Sequence, residues 1–239
     1  LFKIFSWPTI ESLTGEQGTV LMPNPNMIAM RSTTKLILVV HDLSPILMPE
    51  MYSWKARLWH KFINIPKLVK RADKLIAVSG YTKQALHTEL GAPLDKITVA
   101  HLGVDHERFR PDLDVAVQRS VRNRYSLPGE FLLYIGTIEP RKNIERLIEA
   151  FEQAEISADL VLAGKLGWRA DQIMEKIRKS PKGRQIHYLG YVSEEDKPAL
   201  LKLARAFVWP SLYEGFGLPP LEAAAVGTPV LVSSVTSLP

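Results

Sequence analysis

From Lys35 to the end of the chain, short apolar runs alternate with amphipathic stretches. The runs are 36–40, 75–78, 97–100, 131–135, 160–163, 186–189, 206–209 and 229–232, several of them rich in Val and Ile. A run that is apolar at nearly every position, without a period of two, predicts a strand buried on both faces of a parallel sheet. The stretches between the runs carry a helical period. In 143–154, Ile144, Leu147, Ile148 and Phe151 recur at spacings of three and four, which is one face of a helix. Helices are predicted in the same way over 54–69, 81–90, 171–179 and 194–203. Strand and helix in alternation mean βαβ units and an α/β fold.

Local signals agree with this pattern. Ser79 is placed to cap the helix after the 75–78 strand, and Ser193 with Asp196 three residues on resembles a capping box. Pro198 limits how regular the first turn of that helix is, because it has no amide hydrogen to donate. The alternation breaks at 108–129, where a polar helix over 114–125 fits and Pro and Gly residues follow. This segment reads as the joint between two α/β domains, 1–110 and 111–239. No solenoid-type repeat and no low-complexity tract is present.

Composition narrows the class. The 239 residues are enough for one large domain or two small ones, and 46% hydrophobic with 23% charged residues is ordinary globular usage. There is no cysteine, which excludes disulfides and Cys-ligated metal sites and suits a reducing compartment. No stretch reaches the ~18–20 apolar residues of a spanning helix, and the first residues lack the marks of a signal peptide. The net charge of +5 favours anionic partners. Lys55, Arg57, Lys61, Lys67, Lys70, Arg71 and Lys74 cluster, opposed only by Asp73. That stretch is either a solvated helix face or a patch for an anionic membrane surface.

In open parallel sheets, ligands bind outside the carboxyl ends of the strands. After the 131–135 run come Gly136, which lets a ligand approach the backbone, and Arg141 and Lys142 near a helix start. Two cations there either flank an anion such as a diphosphate or form a solvated surface pair. After the 206–209 run come Glu214, Gly215, Gly217, Leu218 and, one turn into a helix, Glu222. The amides of Gly217 and Leu218 suit phosphate oxygens, and the two carboxylates suit sugar and ribose hydroxyls. A helix capped by acids at its N-terminus explains either Glu alone. His41 and Asp42 follow the 36–40 run, where an imidazole either faces a cleft or serves as a structural residue. The histidines show no paired metal-ligand spacing, and no nucleophile elbow or Walker loop occurs.

Taken together, these segments resemble family 4 of the retaining glycosyltransferases, with the GT-B fold, over roughly 35–239. The pieces occur in family order: Val40-His41-Asp42-Leu43-Ser44, Ile76-Ala77-Val78-Ser79, Leu102-Gly103-Val104-Asp105, then 136–143, 164–168, Leu189-Gly190-Tyr191-Val192, and 210–222 with its Glu-x7-Glu element. The resemblance implies two Rossmann-like domains facing across a cleft, the second holding a nucleotide-sugar and the first serving the acceptor side. By position it implies that Arg141 and Lys142 hold the diphosphate, Glu214 the transferred sugar and Glu222 the ribose. Gly136, Phe216, Gly217 and Leu218 would line the donor pocket, Tyr191 and Val192 would lie beside the base, and His41 would face the donor sugar. It implies no metal and no cofactor beyond the nucleotide-sugar, and a front-side displacement in which positioning and charge stabilisation do most of the work.

The string Glu-Pro-Arg-Lys-Asn looks most like mannosyltransferases using GDP-mannose to build polysaccharide on a glycan or lipid-linked acceptor. No nucleic acid is expected as a partner. The expected location is the cytoplasm, or the cytoplasmic face of the membrane. The family carries further segments before and after the pieces found here, so both domains are expected to be incomplete, and 1–32 to be the middle of the first. An epimerase of the same architecture and a fragment that only binds nucleotide remain alternatives.

Overall fold

The computed structural model describes residues 8–239, which divide into two compact units, 8–102 and Gly103–Pro239. The break lies ahead of the joint expected at 110/111. Phe109 belongs to the hydrophobic core of the second unit.

The first unit is a four-stranded parallel sheet in the order β1-β2-β3-β4: β1 Thr19–Met22, β2 Lys35–Val40, β3 Lys74–Ala77 and β4 Ile97–Val99. Helix α1 (Ile10–Thr14) precedes β1, and the short α2 (Ser44–Leu47) follows β2. Neither α1 nor β1 was expected from the sequence. β1 is an edge strand with a single buried residue, Met22, so it lacks the continuous apolar run of its neighbours. The core beneath the sheet contains Leu36, Leu38, Val40, Leu75, Ala77 and Leu86.

The single helix expected over 54–69 is two helices, α3 (Trp54–Ile63) and α4 (Ile65–Arg71). Asn64 sits between them with φ 57°, in the left-handed region that Asn tolerates better than most residues. Its side chain accepts from the amide of Lys67, so one residue closes α3 and caps α4. Pro66 stands in the first turn of α4, where its missing amide hydrogen is harmless. Helix α5 (Gly80–Leu90) is capped as expected, with Ser79 Oγ accepting from the Thr82 amide at 3.0 Å.

The second unit is a five-stranded parallel sheet in the order β7-β6-β5-β8-β9. Its strands are β5 Phe131–Ile135, β6 Asp159–Ala163, β7 Ile186–Gly190, β8 Ala206–Trp209 and β9 Val230–Val232. The helices are α6 Val115–Arg124, α7 Ile144–Gln153, α8 Ala170–Lys179, α9 Lys197–Leu203 and α10 Leu218–Ala225. β8 is buried at all four positions and β6 at four of five, which accounts for their unbroken apolar sequences. Helix α7 buries the predicted face, Ile144, Leu147, Ile148 and Phe151. Each such side chain contributes about 1.5–3 kcal/mol on burial.

Helix α9 starts at Lys197, not at 194. Ser193 Oγ accepts from the Asp196 amide at 3.1 Å, which is one half of the expected capping box. The Asp196 carboxylate makes no reciprocal cap. It accepts instead from Tyr125 Oη at 2.8 Å and from Arg124 Nη1 at 2.7 Å, tying α9 to α6.

Strand order reverses direction between β5 and β8, because the chain moves outward from β5 through β6 to β7 and then returns to β8 on the other side. That reversal opens a crevice at the carboxyl ends of these two strands, where doubly wound sheets bind ligands. The segments leaving β5 and β8 are 136–143 and 210–217.

Candidate functional site

The two segments that leave the switch point are bound to each other by backbone as well as side chains. The amide of Leu212 donates to Arg141 O at 2.9 Å, and Asn143 Nδ2 donates to Pro210 O at 3.1 Å. Pro140, Arg141 and Lys142 form a short 3-10 turn, and Asn143 (φ 59°) redirects the chain into α7. This turn aims both cations at the loop after β8. Arg141 Nη1 donates to Tyr213 O at 2.8 Å and lies 3.6 Å from Glu214 Oε2, while Nη2 bonds Glu139 at 3.0 Å. Lys142 Nζ meets Glu214 Oε1 at 2.6 Å.

Lys142 is therefore no solvated surface cation. It is 8% exposed, and its ammonium lies 4.4 Å from the centroid of the Trp209 ring. Burial pushes its pKa below the ordinary lysine value, while Glu214 pulls in the opposite direction. Trp209 is stacked in turn on Tyr134, with ring centroids 5.2 Å apart. The chain thus sets a cation against an aromatic face and a carboxylate inside a nearly dry recess, where each interaction is stronger than in water.

Glycines make the floor of the same crevice. The amide of Gly136 donates to Ala163 O, and that of Gly164 to Gly190 O at 2.7 Å, so the ends of β5, β6 and β7 are knitted together. A Cβ on Gly164 (φ +137°) would stand 1.9 Å from the carbonyl oxygen of Gly136, and one on Gly136 would stand 2.9 Å from Trp209. Gly217 (φ 101°) turns the chain into α10, whose first amides have no intrahelical acceptor. Residues 233–237 fasten the loop from outside: Thr236 Oγ1 accepts from the Glu214 amide at 3.0 Å, and Ser237 Oγ donates to Glu214 O at 2.9 Å.

Of the residues singled out in the sequence, Gly136, Arg141, Lys142 and Glu214 come together around Trp209. Phe216, Gly217 and Leu218 continue from Glu214 into α10. Glu222 lies within α10 and is held by Lys197 Nζ at 2.5 Å, both side chains being 14% exposed. Tyr191 is exposed beside β7 with Lys165 Nζ 5.0 Å from its ring centroid, and Val192 is buried. His41 belongs to the first unit, at the carboxyl end of β2, where Nε2 lies 2.9 Å from Pro23 O. Sequence reasoning missed Trp209 and Lys197. Trp209 was counted as strand, and Lys197 is one lysine among many until α9 and α10 are folded side by side. Among the described residues, no group of three His, Asp or Glu side chains is placed to hold a metal ion.

Fold and site together define a GT-B-class α/β protein whose second sheet carries an Arg–Lys–Glu cluster beside close-packed glycines at its switch point. The profile described as "Glycosyl transferases group 1" matches residues 120–239, and that described as "Glycosyltransferase Family 4" matches residues 21–108. The chain belongs to the group 1 glycosyl transferases.

It is 34% identical over 220 residues to the O-antigen chain mannosyltransferase B of Escherichia coli, covering 90% of this chain and 57% of that protein. It is 35% identical over 213 residues to an E. coli serotype-specific mannosyltransferase WbdA, covering 86% of this chain and 26% of the relative. The chain thus spans little more than half of the first relative and about a quarter of the second. The crystal structure of Anabaena Alr3699/HepE in complex with UDP-glucose superposes with a TM-score of 0.70 at 22% identity, over 85% of this chain and 54% of that one. At that identity the likeness speaks for the fold alone.

Proposed function

We propose that this protein transfers a hexose, mannose from GDP-mannose, to a glycan or lipid-linked acceptor with retention of configuration. The observation that carries this reading is the Arg141–Lys142–Glu214 cluster at the β5/β8 switch point. The two cations are compensated by Glu214 and Glu139. A diphosphate entering beside them takes over that compensation through charge-assisted contacts and releases the oxygens of Glu214 to accept from sugar hydroxyls. Glu222 would hold the ribose, with Lys197 fixing its carboxylate. Phe216, Gly217 and Leu218 would line the sugar and phosphate pocket, and Tyr191 and Val192 would flank the base. That His41 would face the donor sugar rests on the family resemblance alone. The donor sugar rests on the two mannosyltransferase relatives and on the Glu-Pro-Arg-Lys-Asn string.

In this reading the leaving diphosphate helps take the acceptor's proton, and Arg141 and Lys142 stabilise the charge that develops on it. Saturation-transfer NMR of the chain against GDP-, UDP- and ADP-sugars tests donor binding, with GDP-mannose expected to give the response. In the active protein, Glu214→Gln is expected to lower nucleotide release from GDP-mannose by about a hundredfold or more, the size of a lost charge-stabilising contact. Gln is preferred to Ala because it retains a hydrogen-bond acceptor for Lys142, and a melting curve checks that the fold survives. Unchanged turnover would remove Glu214 from the site, and binding of no nucleotide-sugar would sink the reading.

A further inference from the structure

Helix α3 turns its polarity the wrong way for a surface helix. Ala56, His60 and Ile63 face inward. Trp54, Leu58 and Phe62, at spacings of four, face outward and are 66%, 45% and 43% exposed, with Trp59 beside them at 49%. A surface helix ordinarily shows the reverse. Lys55, Arg57 and Lys61 are exposed on α3 and Lys67 and Lys70 on α4, and no Asp or Glu occurs from Trp54 to Ala72. Among the described residues, none of the five enters an ion pair with a carboxylate. Beside α3 runs a groove of about 630 Å³ whose lining includes Ile46, Pro49 and Leu58 together with Arg57 and Lys61.

We propose that this outward face of α3 docks on an anionic lipid bilayer, with Trp54 and Leu58 entering the headgroup boundary and the basic side chains meeting lipid phosphates. A helix with Trp, Phe and Leu on one face and Lys and Arg at its borders is the arrangement that lies in a membrane interface. Trp is suited to that depth, because its ring is apolar and its N–H remains near water. The charge pattern selects the occupant. A second copy of this chain, docked through the same face, would bring cations against cations, which an isologous contact cannot relieve. An anionic bilayer offers the complementary sign over the whole face. No helix among the described residues is long and apolar enough to cross a membrane, so the contact is one of lying on the surface. The proposal uses no residue of the second unit and stands or falls apart from the donor reading.

The test is co-sedimentation of the chain with phosphatidylcholine vesicles and with vesicles containing about one-third phosphatidylglycerol. Binding to the anionic vesicles alone is expected, with release at about 0.5 M salt as surface charge is screened. The pair Lys55→Glu with Lys61→Glu is expected to weaken partitioning about tenfold or more. Trp54→Ser with Leu58→Ser is expected to weaken it by a similar factor, about tenfold, while leaving circular dichroism and nucleotide binding as in the parent. Absence of vesicle binding overturns the proposal. So does equal binding to both vesicles, or anionic binding that the Trp54→Ser, Leu58→Ser variant retains in full, which is adsorption by charge alone. A dimer in light scattering that this variant disperses also overturns it, because the face is then an interface between copies.

Discussion

Lys142 carries a lowered pKa because the fold takes its ammonium out of water, and Glu214 offsets only part of that loss. A diphosphate bound beside it would favour the charged form, so the complex holds the proton more tightly than the free protein does. The sign follows from linkage: affinity for GDP-mannose falls as pH rises through the free-state pKa of Lys142. That decline sets in below the ordinary lysine value of about 10.4. Titration calorimetry carried upward from neutral pH toward the ordinary lysine value is expected to show it, and Lys142→Arg, whose guanidinium stays charged throughout, is expected to flatten the profile. Parallel profiles would mean that Lys142 does not meet the diphosphate. The sequence placed Arg141 and Lys142 after the right strand, but could not choose between an anion site and a solvated pair. The choice is made by Glu214 and Trp209, which arrive from β8, more than sixty residues later in the chain, and no local pattern encodes that meeting.

Strands and helices were legible wherever burial is continuous or one-sided. β5, β6, β8 and the face of α7 appear in the sequence because both sides of the sheet, or one stripe of the helix, must be apolar. Legibility fails where an element is held by something other than an apolar period. β1 is an edge strand, the α3/α4 break depends on one left-handed Asn, and the start of α9 depends on where Asp196 sends its carboxylate. Asp196 shows the energetics of this last case. Its burial alone would raise the carboxyl pKa, but bonds from Tyr125, Arg124 and Ser193 outweigh it and hold it below the usual value. A depressed folded pKa stabilises above the unfolded value and is lost as pH falls through the folded one. Asp196→Ala is expected to cost about 1–3 kcal/mol at neutral pH, toward the lower end because Arg124 is largely exposed. In urea melts the deficit of the variant should shrink as pH falls below about 4. An unchanged midpoint at neutral pH would show that α6 and α9 are held together by their apolar faces alone.

Each unit has its own core, and the two proposed ligands address different units: the nucleotide-sugar the second, the lipid surface the first. This division makes a prediction for the whole chain that neither site makes alone. A ligand protects the amides whose opening it opposes, and the loops and helix ends that bind are drawn from the least stable parts of a fold. GDP-mannose is therefore expected to slow amide hydrogen exchange in 136–143 and 210–222, the loops leaving β5 and β8, without slowing it in α3. Anionic vesicles are expected to slow exchange in Trp54–Ile63, where Trp54, Leu58 and Trp59 are about half or more exposed, and to leave the loops leaving β5 and β8 unchanged. Exchange read peptide by peptide by mass spectrometry separates the outcomes. Protection of the crevice loops by vesicles would place lipid contact at the donor site and overturn the assignment to α3. Protection confined to α3 when nucleotide-sugar is added would move donor binding away from Arg141, Lys142 and Glu214. Because the backbone segments expected to be protected at each proposed site lie within one unit, either reading can fail in this experiment while the other stands.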